Sequence, residues 1–289
     1  MKIASDWKDY SVIATGNGEK LERWGNVTLL RPDPQVIWKT SDLRDRKGID
    51  AIYNRSKAGG GEWNFLNKIP NDWTISYKDL TFKVKPMGFK HTGLFPEQAV
   101  NWDIMRELIE NAGREISVLN LFAYTGGATV ACLKAGASVC HVDAAKGMVE
   151  RAGENVKLSG LENVNCRYII DDCFKFVQRE AKRGRKYDAI IMDPPSYGRG
   201  PNGEMWKIEE GLFDLVQMCR EILSDKPLFF LINSYTTGLQ PAVLHNILSS
   251  ALKGIDGNVE AYEVCLATEE QGIVLPCGAS GLFIGKENL

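Results

Sequence analysis

The chain has 289 residues, 44% hydrophobic and 25% charged, the composition of an ordinary soluble globular protein. No apolar run reaches the roughly 20 residues a bilayer span needs, and no early stretch joins a charged start, an apolar run and a small-residue cleavage site; a cytoplasmic protein is expected. The formal net charge of −2 hides an asymmetry: residues 1–95 carry 16 Lys and Arg against 11 Asp and Glu, whereas the remainder carries 19 against 26.

Five of the seven tryptophans also lie in the first 95 residues. A basic, aromatic-rich segment is compatible with gripping a polyanion, because Lys and Arg displace counterions and rings stack on bases. A solvated face over a tryptophan-rich β core is the alternative. The seven cysteines are scattered with no Cys-x-x-Cys pair, which suits reduced thiols and predicts neither a disulfide framework nor a metal site.

Up to about residue 95, apolar runs are short and punctuated by Thr15-Gly16-Asn17-Gly18, Arg31-Pro32-Asp33-Pro34 and Gly59-Gly60-Gly61. Segments 26–30 and 80–84 read as strands, so residues 1–95 are expected to form a small β-rich subdomain, a candidate for substrate binding. Over 96–289 the rhythm changes. Helices are expected at 97–111, 146–158, 174–183, 206–223 and 241–252, and strands at 116–120, 138–142, 164–170, 187–192 and 228–232. This alternation predicts a doubly wound parallel α/β sheet covered on both faces. Two final strands, 259–264 and 281–284, have no helix between them, and their turn is read at Leu275-Pro276-Cys277-Gly278-Ala279-Ser280-Gly281. A closing hairpin departs from the plain dinucleotide fold.

Ligands of open α/β sheets bind beyond the carboxyl ends of the strands. The first strand of this part leads into Asn120-Leu121-Phe122-Ala123-Tyr124-Thr125-Gly126-Gly127, with a helix expected from Ala128. Glycine there admits a ligand close to the backbone, and the helix start offers N–H groups. The Gly-x-Gly-x-x-Gly fingerprint is missing, which argues against nicotinamide or flavin. Asp143, at the end of the second strand, is placed for ribose hydroxyls, or to cap the helix beginning near Lys146. The third strand ends in Ile170-Asp171-Asp172-Cys173-Phe174. Asp172 is favoured to accept from an adenine amine with Phe174 on the same rim, and a helix cap is the alternative. The fourth ends in Met192-Asp193-Pro194-Pro195-Ser196-Tyr197. Two prolines remove N–H donors and leave carbonyls as acceptors beside the Asp193 carboxylate, an arrangement suited to an exocyclic amine on which Tyr197 stacks; a rigid turn with a capped helix is the alternative.

These strand-end motifs, in this order, resemble the S-adenosylmethionine-dependent methyltransferases of the seven-stranded, Rossmann-like type with a reversed last strand. More narrowly, segment 120–127, Asp172 with Phe174, and Asp193-Pro194-Pro195 are similar to the bacterial large-subunit (23S) ribosomal RNA methyltransferases. The stretch His91-Thr92-Gly93-Leu94-Phe95-Pro96-Glu97-Gln98 resembles a Gly-x-Phe-x-x-Gln segment that precedes the catalytic domain of that family. The resemblance implies that Phe122, Tyr124, Thr125 and Gly126 line the methionine part of S-adenosyl-L-methionine. It further implies that Asp143 holds the ribose and Asp172 the adenine amine, that Phe95 and Gln98 close over the cofactor or cap a domain-joining helix, and that Asp193, Pro194 and Pro195 face the acceptor. The family's PUA module is not recognisable here.

Members that methylate cytosine C5 carry a cysteine nucleophile after the fifth strand. That place reads Ile232-Asn233-Ser234-Tyr235-Thr236-Thr237, without a thiol; Cys277 is the one candidate to test, and a buried or incidental thiol is its commoner explanation. A nitrogen acceptor is therefore expected: a base in an rRNA-like RNA or, alternatively, a protein side chain or small molecule. A non-catalytic nucleotide-binding module is a further alternative, against which the Asp-Pro-Pro motif speaks. The stretch Gly198-Arg199-Gly200-Pro201-Asn202-Gly203-Glu204 reads as a substrate-gating loop with Arg199 near a phosphate, or as a plain exposed connection.

Overall fold

The computed structural model describes residues 1–56, 60–199 and 205–286, apart from the side chains of Phe89 and Arg199. The chain forms two compact units. One comprises Met1–Val100 with Val264–Cys277, and the other Asn101–Glu263 with Gly278–Leu289. The strands expected at the carboxyl terminus thus contribute to both, which a single division near residue 95 does not anticipate.

In the first unit, β1 (Lys2–Ala4) is followed by β2 (Tyr10–Gly16), β3 (Glu19–Trp24), β4 (Val27–Pro32), β5 (Ala51–Arg55) and β6 (Gly61–Phe65), then by the ribbon β7 (Trp73–Tyr77) and β8 (Leu80–Val84). Strands β2 to β6 form a sheet in sequence order, antiparallel except for β4 beside β5. Asn17 and Gly18, at φ 55° and 82°, make the two-residue turn that joins β2 to β3; both central residues of such a turn require positive φ. Ala14, Leu21, Leu30, Leu43, Ile49 and Ile52 fill the core. Beside it, Glu22 is fully buried and takes two hydrogen bonds from Arg31, at 2.6 and 2.7 Å, and one from the Tyr10 hydroxyl. Burial pushes the Glu22 carboxyl up, but the charges of Arg31 and Lys20 and these hydrogen bonds outweigh it and hold the group at about 2.

The five tryptophans of this unit are spent on packing. Trp24 is fully buried, and the indole N–H groups of Trp7, Trp38, Trp63 and Trp73 donate to Pro96 O, Thr15 Oγ1, Met87 O and Trp24 O. None is left exposed as a stacking platform, so the tryptophan-rich core is the reading that the indoles support.

Helix α1 (Ala99–Asn111) leads into the second unit: β9 (Ser117–Leu121), α2 (Gly127–Lys134), β10 (Ser138–Asp143), α3 (Lys146–Leu158), β11 (Cys166–Ile170), α4 (Cys173–Lys182), β12 (Ala189–Met192), β13 (Tyr197–Arg199), β14 (Met205–Lys207), α5 (Ile208–Arg220), β15 (Phe229–Ser234), α6 (Pro241–Ala251), β16 (Gly257–Ala267) and β17 (Val274–Gly285). The sheet has eight strands in the order β1-β16-β17-β15-β12-β9-β10-β11, parallel from β15 to β11, with β17 antiparallel to β15 and β1 added parallel to β16. Strand alternation sorts the faces. Leu119, Leu121, Cys140 and Val142 join Phe176 and Val177 of α4, Leu212 and Leu215 of α5, and Leu244 and Leu248 of α6 in one core. Asn120 and His141 point the other way, toward Thr129 of α2.

Three expectations are corrected. Residues 275–281 are not a turn: they lie within β17, and the reversal falls between Thr268 and Ile273. There the Thr268 hydroxyl and amide both donate to Ile273 O, and Gly272 takes φ 61°. The run Pro276-Cys277-Gly278 has turn composition, but sheet pairing overrides it. Cys277 is accordingly a strand residue of the first unit. Burial pushes its thiol far up, and Glu97 and Asp33 push the same way, so it stays a neutral, weak nucleophile. Finally, the helix expected from residue 206 starts at Ile208, because Trp206 belongs to an antiparallel ribbon in which it opposes Gly198.

Candidate active site

Register places the strand-end residues of the second unit in one row. Val142 pairs with Leu121, Leu121 with Met192, Met192 with Ile232 and Ile232 with Gly281. One residue further along, Ile170, Asp143, Phe122, Asp193, Asn233 and Ser280 follow one another across the carboxyl edge. Residues as distant in sequence as Phe122 and Asn233 thus meet on a single rim because their strands are parallel and in step.

The loop after β9 is tightly folded. Phe122 and Tyr124 take φ of 52° and 51°, and Gly126 takes 83°. Left-handed backbone at two non-glycine residues costs about 1 kcal/mol or more each and persists only where the surroundings enforce it. Here they do. Tyr124 N donates to Asp143 Oδ2 at 2.8 Å, Phe122 N to Cys173 Sγ at 3.3 Å, and Asn155 Nδ2 to Thr125 O at 2.8 Å. A Cβ on Gly126 would lie 2.8 Å from the Ala152 Cβ, so the glycine lets α3 approach the loop. Below it, Asn120 Nδ2 donates to Thr129 Oγ1 at 3.0 Å, and that hydroxyl meets His141 Nδ1 at 2.9 Å. Burial pushes His141 down to about 4, keeping the imidazole neutral.

Asp143 also accepts from Ala145 N at 2.8 Å, so its carboxylate ties the two neighbouring loops together. Asp172 caps α4, its Oδ1 taking the Lys175 amide at 2.9 Å, and its second oxygen has no donor among the described residues. Asp171 instead pairs with Arg179 and accepts from the Asp172 amide. Ile170, at the same corner, is 52% exposed. Together these supply a carboxylate beside a glycine loop, a second carboxylate and apolar faces. That donor set fits a nucleoside carrying vicinal hydroxyls and an exocyclic amine.

At the end of β12, Pro194 is buried and Pro195 exposed. The Pro195 carbonyl is already engaged by Trp206 Nε1 at 2.6 Å. Ser196 Oγ lies 2.6 Å from Thr236 Oγ1, linking this loop to the segment after β15. Tyr197 is 49% exposed, with its hydroxyl donating to Met205 Sδ at 3.0 Å. Asn233 is not a solvent-facing site residue. It accepts from Asn101 and Ser280 inside a buried polar network completed by the Tyr262 hydroxyl.

Phe95 and Gln98 lie in the other compact unit, where Phe95 precedes the 3-10 turn Pro96–Gln98 and its carbonyl accepts from the Gln98 amide at 3.1 Å. The gating loop expected at 198–204 begins as strand β13; residues 200–204 and the Arg199 side chain lie outside the described residues. Sequence reasoning missed Asn155, Ala152 and Trp206. Nothing local marks the first two, since their roles come from α3 packing under the loop. Trp206 reads as a helical residue until β13 and β14 pair.

A family model described as S-adenosylmethionine-dependent methyltransferase matches residues 35–230. Ribosomal RNA large subunit methyltransferase K/L of Allochromatium vinosum is 31% identical over 209 residues, which are 67% of this chain and 28% of that protein. Ribosomal RNA large subunit methyltransferase I of Escherichia coli is 36% identical over 195 residues, 62% of this chain and 48% of that protein. The chain therefore spans less than half the length of these two relatives. The crystal structure of the SAM-dependent methyltransferase from Agrobacterium tumefaciens matches with a TM-score of 0.92 at 36% identity, covering 98% of this chain and 92% of that one. On its sequence and on the strand order that builds the rim, this chain belongs to the S-adenosylmethionine-dependent methyltransferase family.

Proposed function

We propose that the chain methylates a nitrogen on a base of RNA, with large-subunit ribosomal RNA as the substrate class. The observation that carries this reading is Asp193-Pro194-Pro195 on the same rim as Asp143 and the Phe122 loop, with no thiol in segment 233–237. The names of the two curated relatives support the RNA substrate.

Bound S-adenosyl-L-methionine supplies an electrophilic methyl group on a sulfonium. In this reading Asp143 accepts the ribose hydroxyls, Asp172 the adenine amine, and Phe122, Tyr124, Thr125, Gly126 and Phe174 shape the pocket. Asp193 and the Pro194 carbonyl accept the N–H groups of the target amine, aiming its lone pair at the methyl carbon, and the exposed Tyr197 ring stacks on the base. In-line displacement asks the protein chiefly for alignment, so orientation by these acceptors is the principal contribution. Cys277 has no part.

The test is tritium transfer from labelled S-adenosylmethionine to RNA and to protein fractions. Label should enter RNA. Asp143→Ala should weaken cofactor binding at least tenfold, whereas Asp193→Ala should keep it and lose about a hundredfold or more in turnover. Label confined to protein, or normal transfer by both variants, overturns the reading.

A further inference from the structure

Trp206 touches three parts of the rim at once. Its indole Nε1 donates to Pro195 O at 2.6 Å. Its ring lies 5.2 Å from that of Phe174, edge-on at 61°, and 6.1 Å from that of Phe122, tilted at 34°. Phe122 and Phe174 belong to the proposed cofactor side, and Pro195 to the proposed acceptor side. The fold also makes room for this indole. A Cβ on Gly211, inside α5, would lie 2.4 Å from Trp206 Cζ3, so the helix carries glycine, at a cost in helix propensity, where the ring rests on it.

Resting on the methyl-transfer reading above, we infer that Trp206 is a positioning residue: it fixes the Asp-Pro-Pro loop in register with the cofactor pocket and so sets the approach of the methyl acceptor. The physical reason lies in the loop's own chemistry. Two consecutive prolines have no N–H groups with which to anchor their peptides to a neighbouring strand. The peptide plane joining Pro195 to Ser196 is the first after the prolines to carry an N–H, and the indole holds that plane at its carbonyl. Fixing that plane fixes ψ of Pro195 and with it the direction in which Ser196 and Tyr197 leave. The same ring is backed by Phe122 and Phe174, so the two halves of the rim share one rigid spacer. An in-line transfer is sensitive to such alignment, and about 1 Å of misplacement costs on the order of a hundredfold.

The experiment uses the full chain and two variants. Trp206→Phe keeps an aromatic ring against Phe122 and Phe174 and removes the donor. Gly211→Ala leaves Trp206 intact, favours the helix, and pushes the indole off its seat. Three measurements are made: calorimetric S-adenosylhomocysteine binding, methyl transfer to transcribed bacterial large-subunit ribosomal RNA, and hydrogen exchange at the Ser196 and Tyr197 amides. Both variants should bind S-adenosylhomocysteine within about twofold of wild type, lose about tenfold in kcat, roughly the worth of one hydrogen bond, and exchange those amides faster. Unchanged kcat with unchanged exchange overturns the inference. So does a loss of S-adenosylhomocysteine affinity equal to the loss of turnover, which would make the ring mere packing of the cofactor pocket. Should wild type transfer nothing to the RNA, the substrate reading falls, and amide exchange alone decides on Trp206: faster exchange in Trp206→Phe supports it and unchanged exchange overturns it.

Discussion

At the scale of single residues, the site stands on groups that never meet the ligand in the proposed scheme. His141 is the clearest. Its folded-state pKa of about 4 lies below the ordinary value of 6.5 because burial opposes the charged ring. Between those values the unfolded chain takes up a proton that the folded chain refuses. The stability is therefore fully present above pH 6.5 and is lost as pH falls toward 4, at about 1.4 kcal/mol per unit. His91 is depressed to about 4 as well, by burial first and then by Arg31, Lys90 and Lys20, and it adds a like slope. His141→Asn keeps a polar partner for Thr129 and cannot titrate. Between pH 6.5 and 5, its melting temperature should fall about half as steeply as that of wild type. Equal slopes in the two proteins would show that His141 is not held neutral by the fold.

At the scale of elements, the loop between β9 and α2 shows how sequence and packing divide the work. Its residues were legible as a strand-end turn from Asn120 to Gly127. Its strained form was not, because φ of 52° and 51° at Phe122 and Tyr124 is imposed by Asp143, Cys173 and Asn155 from three other elements. Gly126→Ala combines a left-handed φ with a Cβ 2.8 Å from Ala152, and should cost about 2–3 kcal/mol in urea unfolding, with weakened S-adenosylhomocysteine binding. Gly136→Ala is the control: its φ is 95°, yet nothing lies within 4 Å of its Cβ, so it should pay about 1 kcal/mol only and leave binding alone. Equal losses in the two variants would refute a packing role for Gly126. The strand-end acids were similarly legible, although Asp172 proves to cap α4, one of the two roles its position allowed.

At the scale of the whole molecule, the closing strands are shared between the units. Residues 264–277 pack with the first hundred residues. Lys2, Ile3 and Ala4 pair with Val264, Cys265 and Leu266, and Thr15 exchanges hydrogen bonds with Gln271 in both directions. Val264, Cys265, Leu266 and Leu275 are at most 2% exposed. A fragment of residues 101–289 would uncover this apolar hairpin and should aggregate, judged by its soluble yield on expression beside the full chain. A soluble, monomeric fragment with native hydrogen-exchange protection would contradict this sharing.

The sequence alone settled what depends on local pattern. The change of apolar rhythm near residue 96 announced alternating strands and helices, and the strand-end motifs announced acids and a glycine turn that parallel strands in step bring to one edge. Only the tertiary structure decided what depends on partners far along the chain. It placed Trp206 against Pro195, ran β16 and β17 into the first unit, buried Trp24 and tied the half-buried indoles of Trp7, Trp38, Trp63 and Trp73 to backbone and side-chain acceptors. Long-range pairing and burial choose among conformations that neighbouring residues leave nearly equal in energy, so no local window reveals them.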